Sequence, residues 1–116
     1  MSGKKEEIEQ FRALFLEKNA SIKNMQKARE MVHSSSEVGA EFSKILSDLE
    51  SGKDIGVGKR DIPRRLGIGL WIAGRSEEGG KKLAKFTDVV SRYFTAQCLL
   101  SQNKPVEARS VLEKIP

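Results

Sequence analysis

Histidine and cysteine, the side chains most often used as bases, nucleophiles and metal ligands, are scarce in this chain. Its 116 residues contain one histidine, His33, and one cysteine, Cys98. A structural zinc site needs about four such ligands in spaced pairs, and a catalytic dyad needs a base beside its nucleophile. Cys98 stands in a strongly helical stretch beside Leu99 and Leu100, so we expect a buried structural thiol. The sequence therefore predicts a protein that is not an enzyme and that holds no metal and no cofactor.

A glycine-rich stretch at 52–58 has the composition of a loop that cradles phosphate. A P-loop follows the pattern Gly-x-x-x-x-Gly-Lys and then Ser or Thr, whose hydroxyl binds magnesium. Here Gly52 precedes Gly58 by one residue too many, and Arg60 stands where the hydroxyl is needed. A dinucleotide fingerprint around Gly67 fails as well, because its third small residue is absent. We expect these glycines to form turns or to let helices pack closely.

Positive charge concentrates in the centre of the chain. The net charge is +5, from 21 Lys and Arg against 16 Asp and Glu, and residues 51–75 hold six basic residues against two acidic ones. A local excess of this kind is where an anionic partner would bind. The candidate contacts to phosphate or nucleic acid are Lys59, Arg60, Arg64, Arg65 and Arg75.

An apolar run, Leu70-Trp71-Ile72, lies inside the same basic segment. Apolar side chains in contact with water form surfaces that protein partners cover. If this run is exposed, Leu70, Trp71 and Ile72 are a candidate patch for a protein partner.

The composition favours one globular, all-α domain over residues 1–116. Hydrophobic residues make up 38% of the chain and charged residues 32%, which is too apolar for a disordered tail. Strand-type alternation is nearly absent, while helix formers fill long stretches. The longest apolar patch, residues 66–74, is too short to span a membrane. A polar N-terminus and a single cysteine suit a cytoplasmic protein with no membrane contact.

Apolar residues at helical spacing predict a bundle of five or six helices. Whether residues 4–33 form one helix or two stays open, since Ser21 could cap a second helix but no Gly or Pro breaks the chain there. Ser34-Ser35-Ser36 supplies a cap for the helix that follows. After Gly79-Gly80 a helix is expected to end near Gln102. The remaining segments run over 37–51, over 62–73 with Pro63 in the first turn, and from Pro105 onward.

The last stretch, YFTAQCLLSQNKPVEARSVLEKIP, resembles a tetratricopeptide repeat, in which two antiparallel helices pack through small residues. Ala96 and Ala108 match the two small positions, and Leu99 and Leu112 match the bulky ones. The resemblance covers one hairpin and implies a helical scaffold for protein partners. Because stacked neighbours normally bury the face of such a repeat, we expect the N-terminal domain of a longer protein, or a second copy that covers the hairpin.

Residues 61–75, DIPRRLGIGLWIAGR, resemble a helix-turn-helix of bacterial and archaeal regulators. Pro63, Gly67 and Ala73 stand at its small, turn-glycine and buried positions. The resemblance implies a nucleic-acid-binding element whose basic side chains contact phosphates.

Two functions follow from these patterns. The first is a non-enzymatic helical domain that mediates protein–protein interaction or self-association. The alternative is a nucleic-acid-binding protein that uses the basic segment 59–75 as a helix-turn-helix-like element. Neither interpretation indicates a small-molecule substrate.

Overall fold

A computed structural model describes residues 2–116, with side chains from Lys4 onward. Within that range the chain forms seven α-helices and no strand, which confirms the predicted all-α helical bundle. The helices are α1 Ser2–Phe15, α2 Ile22–Ser34, α3 Ser36–Glu50, α4 Ile62–Ile72, α5 Ser76–Leu83, α6 Val89–Ser101 and α7 Pro105–Glu113, with a short 3₁₀ turn at Lys59–Asp61 before α4. The number is higher than the five or six expected because one helix was not predicted.

Two helices, and not one, occupy the N-terminal third. The Ser21 side chain caps α2 by accepting a hydrogen bond from the Asn24 amide at 3.2 Å. Glu17 accepts a bond from the Ser21 amide at 2.9 Å and another from the Asn24 side chain. These polar side chains satisfy the amides that a new helix leaves unpaired. A helix boundary therefore forms here without glycine or proline.

The helix that the sequence did not predict is α5. Gly79 and Gly80 suggested a break before one long helix, but both lie inside α5. The break falls at residues 84–88, where Asp88 caps α6 and accepts a bond from the Ser91 amide at 3.0 Å. Glycine inside a helix costs about 1 kcal/mol relative to alanine. Close packing of α5 against its neighbours offsets that cost, as described below.

Residues 1–62 and 63–116 form two compact units. Two compact units of this size can belong to one domain or form two separate domains. One domain over residues 1–116 therefore stays a prediction.

Unit 1 is built from α1, α2 and α3 around three phenylalanines. The rings of Phe11 and Phe15 stack at 5.7 Å, and the edge of each meets Phe42 of α3 at 6.0 Å and 5.7 Å. Ser35 caps α3 by accepting a bond from the Val38 amide at 3.3 Å, as the serine run predicted. The apolar stripe expected on this helix is buried: Val38, Phe42, Ile45, Leu46 and Leu49.

Unit 2 contains α5, α6, α7 and nearly all of α4, and glycines bring its helices together. A Cβ atom on Gly79 would lie 2.8 Å from the carbonyl oxygen of Gly67, and one on Gly67 would lie 2.6 Å from Cγ of Leu83. Cβ atoms essentially never approach another heavy atom this closely, so a side chain at either position would force a neighbour to move. This confirms the expectation that glycines allow close helix packing. Next to this contact, Trp71 packs on Phe94 with ring centroids 4.8 Å apart.

The C-terminal helices α6 and α7 form the predicted hairpin. Asn103 turns the chain between them with a φ of +60°, a conformation that asparagine tolerates better than most residues. Ala96 and Ala108 are both buried, as the resemblance to a tetratricopeptide repeat implied. Membership of the tetratricopeptide family stays a prediction.

Candidate interaction groove

Three of the five candidate phosphate contacts are engaged or buried within unit 2. The Arg64 guanidinium forms an ion pair with Asp88, Nε to Oδ1 3.0 Å, and lies 4.5 Å from the centroid of the Phe86 ring. Arg65 is fully buried. Arg75 donates two hydrogen bonds to the Glu78 carboxylate, at 3.0 Å and 2.8 Å. Two of the three guanidinium groups are thus paired with a carboxylate and the third is buried.

Lys59 and Arg60, the other two candidates, are exposed on the 3₁₀ turn of unit 1. The residues that follow do not adopt the turn that a helix-turn-helix needs, because 62–72 form one continuous helix with Gly67 in its interior. Within unit 2 the three arginines are thus paired or buried, and within unit 1 the two remaining basic side chains are exposed.

The apolar run Leu70-Trp71-Ile72 is not a surface patch. The three side chains are 1%, 5% and 0% exposed. The Trp71 ring packs on Phe94, and the Trp71 amide nitrogen lies 3.2 Å from where a Cβ atom on Gly79 would stand. Burial removes these large apolar side chains from water and stabilises unit 2. They therefore belong to the core and offer no surface to a partner.

The glycine-rich loop carries its own anion. Oδ1 of Asp54 accepts hydrogen bonds from the amides of Gly56, at 3.0 Å, and Gly58, at 3.1 Å. These bonds hold the pKa of Asp54 below its usual value. Because a carboxylate of the chain already occupies the amides that a phosphate would need, the loop is a closed turn and not a phosphate cradle.

The cysteine is buried between helices, as expected. Cys98 has no solvent exposure, and burial raises the pKa of its thiol to about 12. Its Cβ lies 3.2 Å from where a Cβ atom on Gly80 would stand, so the thiol belongs to the contact between α5 and α6. Over residues 2–116, no group of three or more His, Cys, Asp or Glu side chains is arranged to hold a metal ion.

A groove of about 380 Å³ opens between α5, α6 and α7. We call it the hairpin groove. Gly80 of α5, Ala84 directly after it, Leu99 of α6 and Val111 of α7 line its apolar part. The volume is within the range of ligand pockets, about 300–1,000 Å³. The groove therefore has room for a few apolar side chains of a partner.

The groove exists because α7 contributes little to the core. Ala108 is its one fully buried residue, and the rest of the predicted apolar stripe is incompletely covered. Val111 and Ile115 are half-buried, and Leu112 is 38% exposed. On the opposite wall, Gly80 has no side chain that could fill the space. An apolar helix face and a small residue thus leave a cleft that remains open in this chain.

Charged side chains form the rim of the hairpin groove. On α5, Lys81 pairs with Glu77, Nζ to Oε1 3.4 Å, and both side chains are about three-quarters exposed. On the other wall stand Lys104, which precedes α7, and Glu107 in its first turn. An apolar floor with a charged rim is the usual composition of a protein-binding surface.

Sequence reasoning did not find the hairpin groove, although it predicted two of the three helices that form it. Residues on three separate helices line the cleft, and one of those helices, α5, was read as a break. The signal that could have indicated it is the small residue Gly80 next to Lys81, four residues before Ala84. That spacing places Gly80 and Ala84 on one face of a helix.

No helix in the described part of the chain combines the length and the apolar character needed to cross a membrane. Comparison with protein-family models, with curated proteins and with solved structures finds no match to this chain, so its function is argued from its own residues.

Proposed function

We propose that this chain is a non-enzymatic helical protein that binds a segment of a partner protein in the hairpin groove. The observation that carries the proposal is the open cleft of unit 2, with Leu99 and Val111 as apolar contacts and charged residues at its rim. A partner that covers this apolar surface would gain about 25 cal/mol of binding free energy for each Å² that is buried. The C-terminal hairpin adds support, because helical hairpins of this kind leave a face for a neighbour.

Nucleic-acid binding through 59–75 stays an alternative proposal with less support. Of its five basic residues, Lys59 and Arg60 are exposed in unit 1, while Arg65 is buried. A single buried thiol, Cys98, suits a reducing compartment such as the cytosol. A protein partner is consistent with that location.

A steric block of the groove tests the proposal. Ala84 is exposed at the C-terminus of α5 and lines the groove, so Ala84→Phe fills the cleft without entering the core. The matched control is Ala13→Phe, which places the same side chain on an exposed position of α1 in unit 1. Peptides are selected from a displayed random library on the wild-type protein, and their affinities for the three proteins are then compared by fluorescence anisotropy.

We expect selected peptides to bind the wild type and Ala13→Phe equally and to bind Ala84→Phe at least about tenfold more weakly, the equivalent of 1.4 kcal/mol. Circular dichroism checks that both variants keep their helices. Recovery of no peptide, or of peptides that Ala84→Phe binds as well as the wild type does, would overturn the proposal.

A further inference from the structure

The whole net charge of the protein resides in unit 2. Residues 1–62 contain 11 Lys and Arg and 11 Asp and Glu, while residues 63–116 contain 10 basic and 5 acidic residues. Unit 1 is therefore neutral and unit 2 carries the entire +5. A field of one sign on the unit that holds the groove selects for partners of the opposite sign.

Of the five arginines of unit 2, Arg92 donates a hydrogen bond to the Lys114 carbonyl oxygen and does not line the groove, and the other four are paired with a carboxylate or buried. Arg64 and Arg75 form ion pairs with carboxylates at 3.0 Å and 2.8 Å, and Arg109 pairs with Glu113 at 3.1 Å. Arg65 is buried. The charge that reaches solvent beside the groove comes from lysines instead.

Three of these lysines lie in the last turn of α5 or just after it. Lys81, Lys82 and Lys85 are all exposed and, with Glu78, surround a shallow depression of about 280 Å³. We call these three residues the lysine ridge. Arg75 donates a hydrogen bond to the Glu78 carboxylate and lowers the pKa of that carboxylate. Glu78 is therefore ionised and paired with the arginine. Within the part of the chain that the structure describes, Lys82 and Lys85 make no ion pair.

The lysine ridge and the hairpin groove are continuous, because Lys81 lines both. Across the groove, Lys104 adds a fourth positive charge at the opposite wall. Glu107 stands beside it, and Glu77 pairs with Lys81 at 3.4 Å in a solvent-exposed contact that is weak in water. In the groove itself two lysines balance two glutamates, so the excess of positive charge on the ridge side comes from Lys82 and Lys85.

We infer that the hairpin groove takes an acidic amphipathic helix of a partner protein, with apolar side chains on Leu99 and Val111 and carboxylates against the lysine ridge. This inference rests on the proposed function and specifies its partner. The α5 wall is eight residues long, which at 1.5 Å per residue is about 12 Å. Two turns of a partner helix match that length and present one face to the groove and one flank to the lysines.

A nucleic acid fits these observations less well. Its phosphates would meet the lysine ridge, but its polar backbone would leave the apolar floor at Leu99 and Val111 uncovered. A partner helix satisfies both features at once, since apolar and acidic side chains alternate on its surface at helical spacing.

The test uses two synthetic, fluorescein-labelled amphipathic helices of equal length with leucines on one face. One carries glutamates along the flank, and its twin carries glutamines. We expect the full-length protein to bind the glutamate peptide about tenfold more tightly at low salt, since exposed ion pairs contribute about 0.2–1 kcal/mol each. Added salt should reduce the difference because it screens exposed charges.

Three variants of the protein locate the effect. Lys82→Gln with Lys85→Gln should remove most of the preference for glutamate, while Ala84→Phe should weaken both peptides alike. The matched control is Lys23→Gln with Lys27→Gln, which neutralises two exposed lysines on α2 of unit 1 and should leave the preference unchanged.

The outcomes separate this inference from the function on which it rests. Equal binding of the two peptides, lost in Ala84→Phe, would overturn the acidic partner and keep the groove as a binding site. Loss of the preference in the α2 control would show a non-specific charge effect and overturn the inference. Failure of either peptide to bind would also overturn it, and the library selection would then decide the proposed function. Displacement of the peptide by duplex DNA at lower concentration would assign the ridge to nucleic acid.

Discussion

Gly79→Ala should destabilise unit 2 although alanine is the better helix former. The Cβ atom of the new side chain would lie 2.8 Å from the carbonyl oxygen of Gly67 and 3.2 Å from both Cβ of Leu70 and the amide nitrogen of Trp71. Two of these three atoms belong to the backbone of α4, which cannot move as the end of a flexible side chain can. The helices must separate, and the contact that α5 makes with α4 must loosen.

The magnitude follows from two opposing effects. Overpacking a close contact costs about 1–3 kcal/mol, and the upper part of that range applies because the contact is with backbone. Replacing a helical glycine by alanine returns about 1 kcal/mol through helix propensity. We therefore expect the free energy of unfolding to fall by about 2 kcal/mol.

Trp71 provides the assay, because it is the single tryptophan of the chain and is buried in unit 2. Its fluorescence, followed through a urea titration, reports the unfolding of that unit for wild type and Gly79→Ala. The matched control is Gly39→Ala in α3, where the new Cβ would lie at an ordinary 3.5 Å from the Val32 carbonyl oxygen. Far-UV circular dichroism should show that Gly39→Ala is stabilising by about 0.5–1 kcal/mol. A Gly79→Ala protein as stable as the wild type would refute the packing argument.

Three further predictions concern ionisable groups. Burial raises the pKa of Asp88, whereas hydrogen bonds from Ser91 and the nearby Arg64 guanidinium together lower it by more. The net pKa therefore lies below its usual 3.8. The ionised carboxylate thus stabilises the fold above about pH 4, and that contribution is lost as the pH falls further. Asp88→Asn should accordingly show a smaller drop in urea midpoint on acidification than the wild type, and an equal drop would contradict the assignment. The Cys98 thiol should react with a thiol reagent many times faster in urea than in the folded protein at neutral pH, because its pKa is about 12 and it is buried; equal rates would place it at the surface. In an anisotropy titration against duplex DNA and single-stranded RNA, neutralising Lys59 and Arg60 should leave any binding unchanged, and a salt-sensitive affinity lost in that variant would favour the nucleic-acid alternative.

Helix ends and helix faces could be predicted from the sequence because both depend on neighbours close in the chain. Ser35 caps α3 through an amide three residues away, and the stripe that includes Phe42 and Leu49 follows from helical spacing alone. The small residues Ala96 and Ala108, which are buried in the hairpin, were identified through the resemblance of that stretch to a tetratricopeptide repeat.

What depends on distant neighbours could not be predicted in the same way. Local propensity predicts a break at Gly79-Gly80, but both residues are helical. The carbonyl oxygen of Gly67 leaves no room for a Cβ atom at position 79, so glycine is used there inside a helix. Leu70 and Trp71 stand beside several basic residues in the sequence, but tertiary packing buries both of them. The Trp71 ring packs on the ring of Phe94. The hairpin groove is formed by three helices, so no single segment contains its pattern.

The close contact between α4 and α5 also constrains how this protein can diverge. Any mutation away from glycine at position 67 or 79 adds at least a Cβ atom to a space that holds none, whatever codon is reached. A descendant that loses Gly67 must accommodate the new side chain by changing Leu83, and one that loses Gly79 must shift the α4 backbone at a cost in stability. The close contact constrains the spacing between Gly67 and Gly79-Gly80 along the chain, but it does not constrain the other residues of these helices in the same way. Distant relatives should be recognisable by that spacing after the apolar positions around it have been exchanged.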